Sequence, residues 1–216
     1  TFRDVNIAFV NEMAKSFDKA GIDIIDVIKG ASSKPFAFMP HYPGAGVGGH
    51  CIPVDPYYLI EKAKEIGFSH KFLSLAREIN NSMPSYTVEL LENELKKLNK
   101  PIKNAKIGVL GLAYKANVDD IRESPGLKVV DILKSKKAEV FIFDPYAKKN
   151  SNVSDLNILM EKSDYIILVT DHEEFKNIDL EKLKNNNIRI IIDGRNSLDK
   201  EKIKSMGILY HGIGRV

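Results

Sequence analysis

The chain has 216 residues, 44% of them hydrophobic and 28% charged, with a formal net charge of +3 and a single cysteine. That length builds one or two ordinary domains. Its positive charge is spread along Lys-rich segments balanced by Glu and Asp, which argues against a nucleic-acid face, and one cysteine excludes an intrachain disulfide. No stretch approaches the ~18 apolar residues of a membrane helix, and no basic, apolar leader opens the chain. A cytoplasmic protein without a membrane partner is expected.

Apolar Phe2, Val5, Ile7, Phe9, Met13 and Phe17 recur from the second residue without a capping box ahead of them. Residues 2–20 therefore predict a helix already running at Thr1, so residues upstream are expected, and Gly21 stops it. Its apolar positions spread beyond one stripe, which suits packing on two sides. A short helix follows over 23–29, ending at Gly30. Residues 31–50 form a loop too long for a mere connector.

The stretch from Tyr42 to Tyr58 holds four glycines (Gly44, Gly46, Gly48 and Gly49), three prolines and the only cysteine, Cys51. The glycines permit positive φ and close approach of a ligand. Asp55-Pro56 reads as the cap and first position of a helix over 57–66. Cys51 then lies just ahead of a helix start, where free N–H groups favour negative charge. A lone cysteine is most often an inert small hydrophobe. A glycine loop, His50 and a helix start converging on this one favour a nucleophile. His50 adjoins it, but neighbouring side chains in an extended loop point apart, so His50 is assigned contact with a ligand rather than a role as base.

Helices are predicted over 71–80 and, restarting at Ser82-Met83-Pro84, over 82–98. The polar segment 99–104 divides an all-helical part, residues 1–98, from residues 99–216, where the periodicity alternates. Short β-branched runs at 106–111, 139–143, 165–170 and 188–193, separated by helices, predict a doubly wound parallel sheet. Ligands of such a sheet bind beyond the carboxyl ends of its strands. Polar residues gather there: Tyr114 and Lys115, Arg122, Asp144, Asp171 and Arg195. Asp144 and Asp171 read as caps of turns. Lys115, Arg122 and Arg195 on one rim imply an anion, with phosphate the natural candidate. Gly108-Val-Leu-Gly111 matches a dinucleotide fingerprint only loosely, lacking G-x-G-x-x-G and the acidic residue that takes a ribose.

Three segments in order, Gly-Val-Gly-Gly-His-Cys-Ile-Pro-Val-Asp-Pro-Tyr-Tyr (46–58), Gly-Leu-Ala-Tyr-Lys with Asp-Asp-Ile-Arg-Glu-Ser-Pro (111–125) and Asp-Gly-Arg (193–195), resemble the UDP-sugar 6-dehydrogenase family. Gly-Gly-His-Cys-Ile-Pro-Val-Asp-Pro is similar to the branch acting on UDP-N-acetylhexosamines. The resemblance implies a helical central dimerisation segment, a homodimer through the first helix, and a Rossmann-like UDP-binding domain. An NAD domain, a catalytic Lys and an Asn would precede Thr1. It implies Cys51 as nucleophile and Asp55 as its polar partner. Tyr114, Lys115 and Arg195 would bind the UDP-sugar, Tyr42, Gly44, Gly46, Gly48, Gly49 and His50 would wrap it, and Arg122 would reach the NAD phosphates. No metal site is expected. The substrate implied is the manno-configured UDP-N-acetylhexosamine, with the gluco epimer or UDP-glucose as alternatives, and this chain alone should not turn over.

The chemistry agrees. Taking a primary alcohol to an acid removes two hydrides, and a thiolate can hold the intermediate aldehyde between them. Two rivals remain. A non-catalytic nucleotide-sugar-binding or dimerisation module needs no thiol. A cysteine hydrolase lacks a Cys–His–Asx pattern beyond His50.

Overall fold

The computed structural model describes residues 1–215. Four helices come first: α1 (Phe2–Ala20), α2 (Ile24–Ser32), α3 (Cys51–Glu65) and α4 (Lys71–Lys97). An alternating half follows: β1 (Lys106–Leu110), α5 (Pro125–Ser135), β2 (Glu139–Phe143), α6 (Leu156–Lys162), β3 (Tyr165–Leu168), α7 (Glu173–Lys176), α8 (Leu180–Asn185), β4 (Ile190–Asp193), α9 (Lys200–Ser205) and β5 (Leu209–Gly212). The strands form a five-stranded sheet in the order β2-β1-β3-β4-β5, every pair parallel. This is the helical-then-doubly-wound α/β class expected from the periodicity.

Strands β3 and β4 are buried along their whole length, which explains their uninterrupted Ile-rich sequences. On one face, Val10 and Ala14 of α1 and Leu91 and Leu95 of α4 share a core with Ile107, Val109, Ile167 and Ile192. On the other, Leu159, Leu183 and Ile203 from α6, α8 and α9 pack against Leu110, Ile166, Leu168 and Ile191. The long helices are thus a cover for the sheet. That places α1 and the glycine-rich loop beside the strands' carboxyl ends.

Local signals account for most boundaries. Gly21 ends α1 in the left-handed region at φ 69°. Asp23 caps α2, Ser124 with Pro125 opens α5, and Asp155, Asp179 and Asp199 cap α6, α8 and α9. Several expectations fail. Helix α2 runs through Gly30 to Ser32. Helix α3 begins at Cys51, with Asp55 inside it rather than capping it, because a proline in the first turn, here Pro53, removes only an N–H that has no helical partner. Helix α4 is continuous through Pro84. Ser82 turns its hydroxyl back onto the Ile79 carbonyl at 2.7 Å instead of capping a new helix, and both halves bury apolar residues, Leu73 and Ala76 in the first and Met83, Val88 and Leu91 in the second. The short elements α7, α9 and β5 were not foreseen.

Candidate active site

The loop 42–49 crosses the sheet's carboxyl rim and is held at three points. The Gly44 N–H donates to Asn11 Oδ1 of α1 at 3.0 Å, Ala45 N–H to the Gly194 carbonyl at 3.0 Å, and Gly49 N–H to the Arg122 carbonyl at 2.9 Å. A Cβ on Gly48 would lie 2.6 Å from Tyr114 Cβ, and Gly49 has φ +83° with the Tyr114 ring against it. These glycines let the loop press on Tyr114, so part of the glycine content serves packing within the chain.

On the rim, Arg195 is half-buried. Its Nε donates to the Val169 carbonyl at 3.0 Å and its Nη2 to the Tyr114 carbonyl at 3.2 Å. Burial works against its charge, while Asp171, 3.8 Å away, and Asp193 support it. Asp193, buried at the end of β4, shapes the turn that carries Arg195. It accepts N–H donations from Arg195 at 3.0 Å and Leu198 at 2.8 Å and the Tyr210 hydroxyl at 3.0 Å. Burial pushes its pKa up against those bonds. Lys115 is exposed. Arg122 is exposed and forked onto Asp120, with Nη2–Oδ2 at 2.5 Å. That contact holds the Asp120 carboxyl below its ordinary range.

Tyr114 and Lys115 sit in the segment leaving β1, which Asp144 organises. Its Oδ2 accepts the N–H groups of Leu112 at 2.6 Å and Ala113 at 2.8 Å, and Oδ1 those of Tyr146 and Ala147 at 2.8 Å. His172 lies 3.1 Å from Asp144 through Nε2, and its Nδ1 accepts the Asn117 N–H at 2.8 Å. With Nδ1 an acceptor, the ring proton belongs on Nε2, donated to Asp144. Burial opposes the Asp144 charge, but His172 and the amides outweigh it and hold the carboxyl well below the usual range. The turn-capping reading of Asp144 is therefore right.

One cleft of 680 Å³ gathers most of these groups. Its walls include Tyr42, Gly44, Gly46, Gly48, Gly49, His50, Cys51, Tyr114, Lys115, Arg122 and Arg195. Of the residues singled out in the sequence, Asp55 is not in the wall; it lies on the exposed side of α3, beside Cys51 and His50. Cys51 is exposed at the first position of α3. The expectation that His50 and Cys51 point apart fails, because they stand at a helix start and not in an extended strand: ligating atoms of His50, Cys51 and Asp55 all lie within 4.8 Å of one another. Sequence reading missed Arg3 and Ile7 in the wall, and read as a turn cap Asp171, which lines the cleft and faces Lys176 at 3.4 Å and Arg195 at 3.8 Å. Arg3 and Ile7 are one helical turn apart on α1, where the apolar pattern hid their second role.

The turn after β1 does not suit a dinucleotide. The Leu112 and Ala113 amides that could face a pyrophosphate already bind Asp144. A Cβ at Gly108 or Gly111 would meet Leu159 or Thr170 at 2.4 Å, so both glycines are filled by core packing.

Residues 1–82 match the central domain of the UDP-glucose/GDP-mannose dehydrogenase family, and residues 108–200 match its UDP binding domain. UDP-N-acetyl-D-mannosamine dehydrogenase of Pyrococcus horikoshii is 42% identical over 216 residues, covering 100% of this chain and 50% of that protein. The protein of that name from Methanococcus vannielii is 42% identical, covering 99% of this chain and 50% of its own length. A crystal structure of NDP-N-acetyl-D-galactosaminuronic acid dehydrogenase from Methanosarcina mazei superposes with a TM-score of 0.91 at 30% identity, covering 99% of this chain and 48% of that one. The chain spans about half the length of the relatives it matches. With both of these domains matched in order along its length, the chain belongs to the UDP-glucose/GDP-mannose dehydrogenase family.

Proposed function

We propose that this chain supplies the nucleophile and the nucleotide-sugar cleft of an NAD-dependent UDP-N-acetylhexosamine 6-dehydrogenase, with UDP-N-acetyl-D-mannosamine as substrate. One observation carries the reading: an exposed cysteine at a helix start opens into the same cleft as Lys115 and Arg195. Relatives bearing that activity in their names support the choice of sugar. In this reading the chain divides into a central unit, 1–98, and a UDP-binding unit, 99–216, in a cytoplasmic protein.

Lys115 and Arg195 bind the diphosphate, Tyr114 and Tyr42 flank the nucleotide-sugar, and the loop of Gly44, Gly46, Gly48, Gly49 and His50 encloses the sugar. Oxidising the C6 alcohol to a carboxylate removes two hydrides, for which NAD is the acceptor. Because Asp144 takes the Leu112 and Ala113 amides after β1, that turn is not assigned to NAD, and Arg122 is the group here assigned to its phosphates. Cys51 adds through sulfur to the C6 aldehyde, keeping it from escape; oxidation of that adduct leaves a thioester, and water cleaves it to the carboxylate and the free thiol. Asp55 orients that water. The exposed apolar face of α1, with Phe2 and Phe9 each more than 60% exposed, forms a homodimer.

The test is steady-state oxidation by the full-length protein of UDP-N-acetylmannosamine, its gluco epimer and UDP-glucose, with NAD. Turnover of the first with loss in Cys51→Ser is expected; turnover of UDP-glucose alone would overturn the substrate. A second reading, a nucleotide-sugar-binding module without catalysis, is favoured by the occupied amides after β1. It predicts UDP binding unaffected by loss of Cys51 and no oxidation by the full-length protein.

A further inference from the structure

We propose that His50, Cys51 and Asp55 form a three-ligand site for a thiophilic divalent cation, and that Zn²⁺ is the ion it takes. The site follows from where α3 starts. With the helix beginning at Cys51, Cys51 and Asp55 are four residues apart and share one helical face. His50, at the cap position, makes no capping bond with its side chain, which leaves the imidazole free to lie over that face. One ligand atom from each residue falls within a 4.8 Å cluster, and all three residues are exposed.

The donors are a thiolate, an imidazole and a carboxylate. Calcium and magnesium take oxygen ligands, whereas this mixed set suits zinc. Bond lengths to zinc place tetrahedral donor atoms about 3.5 Å apart. Closing the cluster from within 4.8 Å to that spacing calls for rotation of three side chains, all of them exposed. Three protein ligands leave a fourth position open, and the Cys51 side of the site opens on the cleft.

Charge also balances. Binding releases the thiol proton, after which a thiolate and a carboxylate neutralise the dication. The site is therefore neutral beside Lys115 and Arg122, and the Arg122 guanidinium is already engaged by Asp120. Zinc bound there occupies the sulfur lone pair that would attack an aldehyde. Metal binding is thus a reversible block on the nucleophile. That consequence rests on the proposed dehydrogenase reading; the site itself does not.

The experiment uses this chain, reduced with a non-chelating phosphine. Equilibrium dialysis with Zn²⁺ is expected to give one equivalent bound. Substitution with Co²⁺ is expected to give a thiolate-to-cobalt charge-transfer band that Cys51→Ser abolishes. His50→Gln and Asp55→Asn should each weaken Zn²⁺ binding roughly tenfold or more. Zn²⁺ should slow alkylation of Cys51, and EDTA should restore it. Absence of the charge-transfer band would overturn the proposal. So would native Zn²⁺ affinity in both His50→Gln and Asp55→Asn, which would leave the thiol as the sole ligand. UDP binding measured without metal reads the dehydrogenase cleft separately, so failure of one leaves the other standing.

Discussion

Asn11 and Gly44, 33 residues apart, are joined by a buried hydrogen bond: the Asn11 carboxamide oxygen on α1 accepts the Gly44 N–H at 3.0 Å. The same carboxamide donates through Nδ2 to Asn80 Oδ1 at 2.9 Å, and Asn80 Nδ2 donates to Asp4 Oδ1 at 2.8 Å. Arg77 closes the chain onto Asp4 at 2.5 Å. A polar network buried between α1 and α4 thus anchors, at Gly44, the loop that leads to Cys51.

Asn11→Ala leaves the Gly44 N–H and the Asn80 carboxamide oxygen buried without partners. Each unsatisfied group costs about 1–3 kcal/mol. Urea unfolding should show a loss within or above that range, and limited proteolysis should cut the 42–50 loop faster. Unchanged stability would mean that the loop does not depend on α1.

Arg195→Ala should weaken UDP binding, measured by calorimetry, by about tenfold or more, since a hydrogen bond to a charged group contributes roughly 1.5–3 kcal/mol. Lys115→Ala, losing an exposed charge, should weaken it less and should reduce its salt dependence. Equal affinity in both variants and the native chain would place the nucleotide elsewhere.

His211 links three elements, facing Glu94 of α4 at 3.0 Å and Asp18 of α1 at 3.4 Å from its place on β5. Burial disfavours its charge, but Asp18 and Glu94 outweigh it and raise its pKa above the ordinary 6.5. A raised folded pKa means that protonated His211 stabilises the fold fully below about pH 6.5, and that this contribution fades as pH rises through the folded value. Native chain minus His211→Gln should therefore show a stability difference that shrinks from pH 6 to pH 9. A difference that grows over that interval would contradict the arrangement.

The apolar groove bounded by Phe2, Phe9, Met13, Val27, Phe38 and Met39 lies on α1, α2 and the loop after α2. Light scattering should give twice the 24.2 kDa chain mass, and Phe9→Asp should give the monomer. A native monomer at micromolar concentration would refute a dimer through this face.

Much of this was legible in the sequence because the signals were local. Ile-rich strands and the Gly21 stop depend on neighbouring residues. The errors lie where tertiary contact overrides local punctuation. Pro84 reads as a break, yet α4 runs through it with buried apolar residues on both sides, Leu73 and Ala76 before the proline and Val88 and Leu91 after it. Cys51 reads as a loop residue, yet Pro53 and Pro56 both lie within α3. The cations Lys115, Arg122 and Arg195 were visible because each follows a strand. Asn11 and His172 were not, since their partners lie 33 and 28 or more residues away.

The central claim is that the nucleophile and the nucleotide-sugar share one cleft. Its most direct test is alkylation of Cys51 by iodoacetamide in this chain, with and without UDP-N-acetylmannosamine, followed by mass spectrometry. The account predicts that millimolar nucleotide-sugar slows labelling and that Arg195→Ala, with Cys51 untouched, abolishes the protection. Labelling at the same rate with and without ligand, under conditions where calorimetry detects UDP binding, would contradict it.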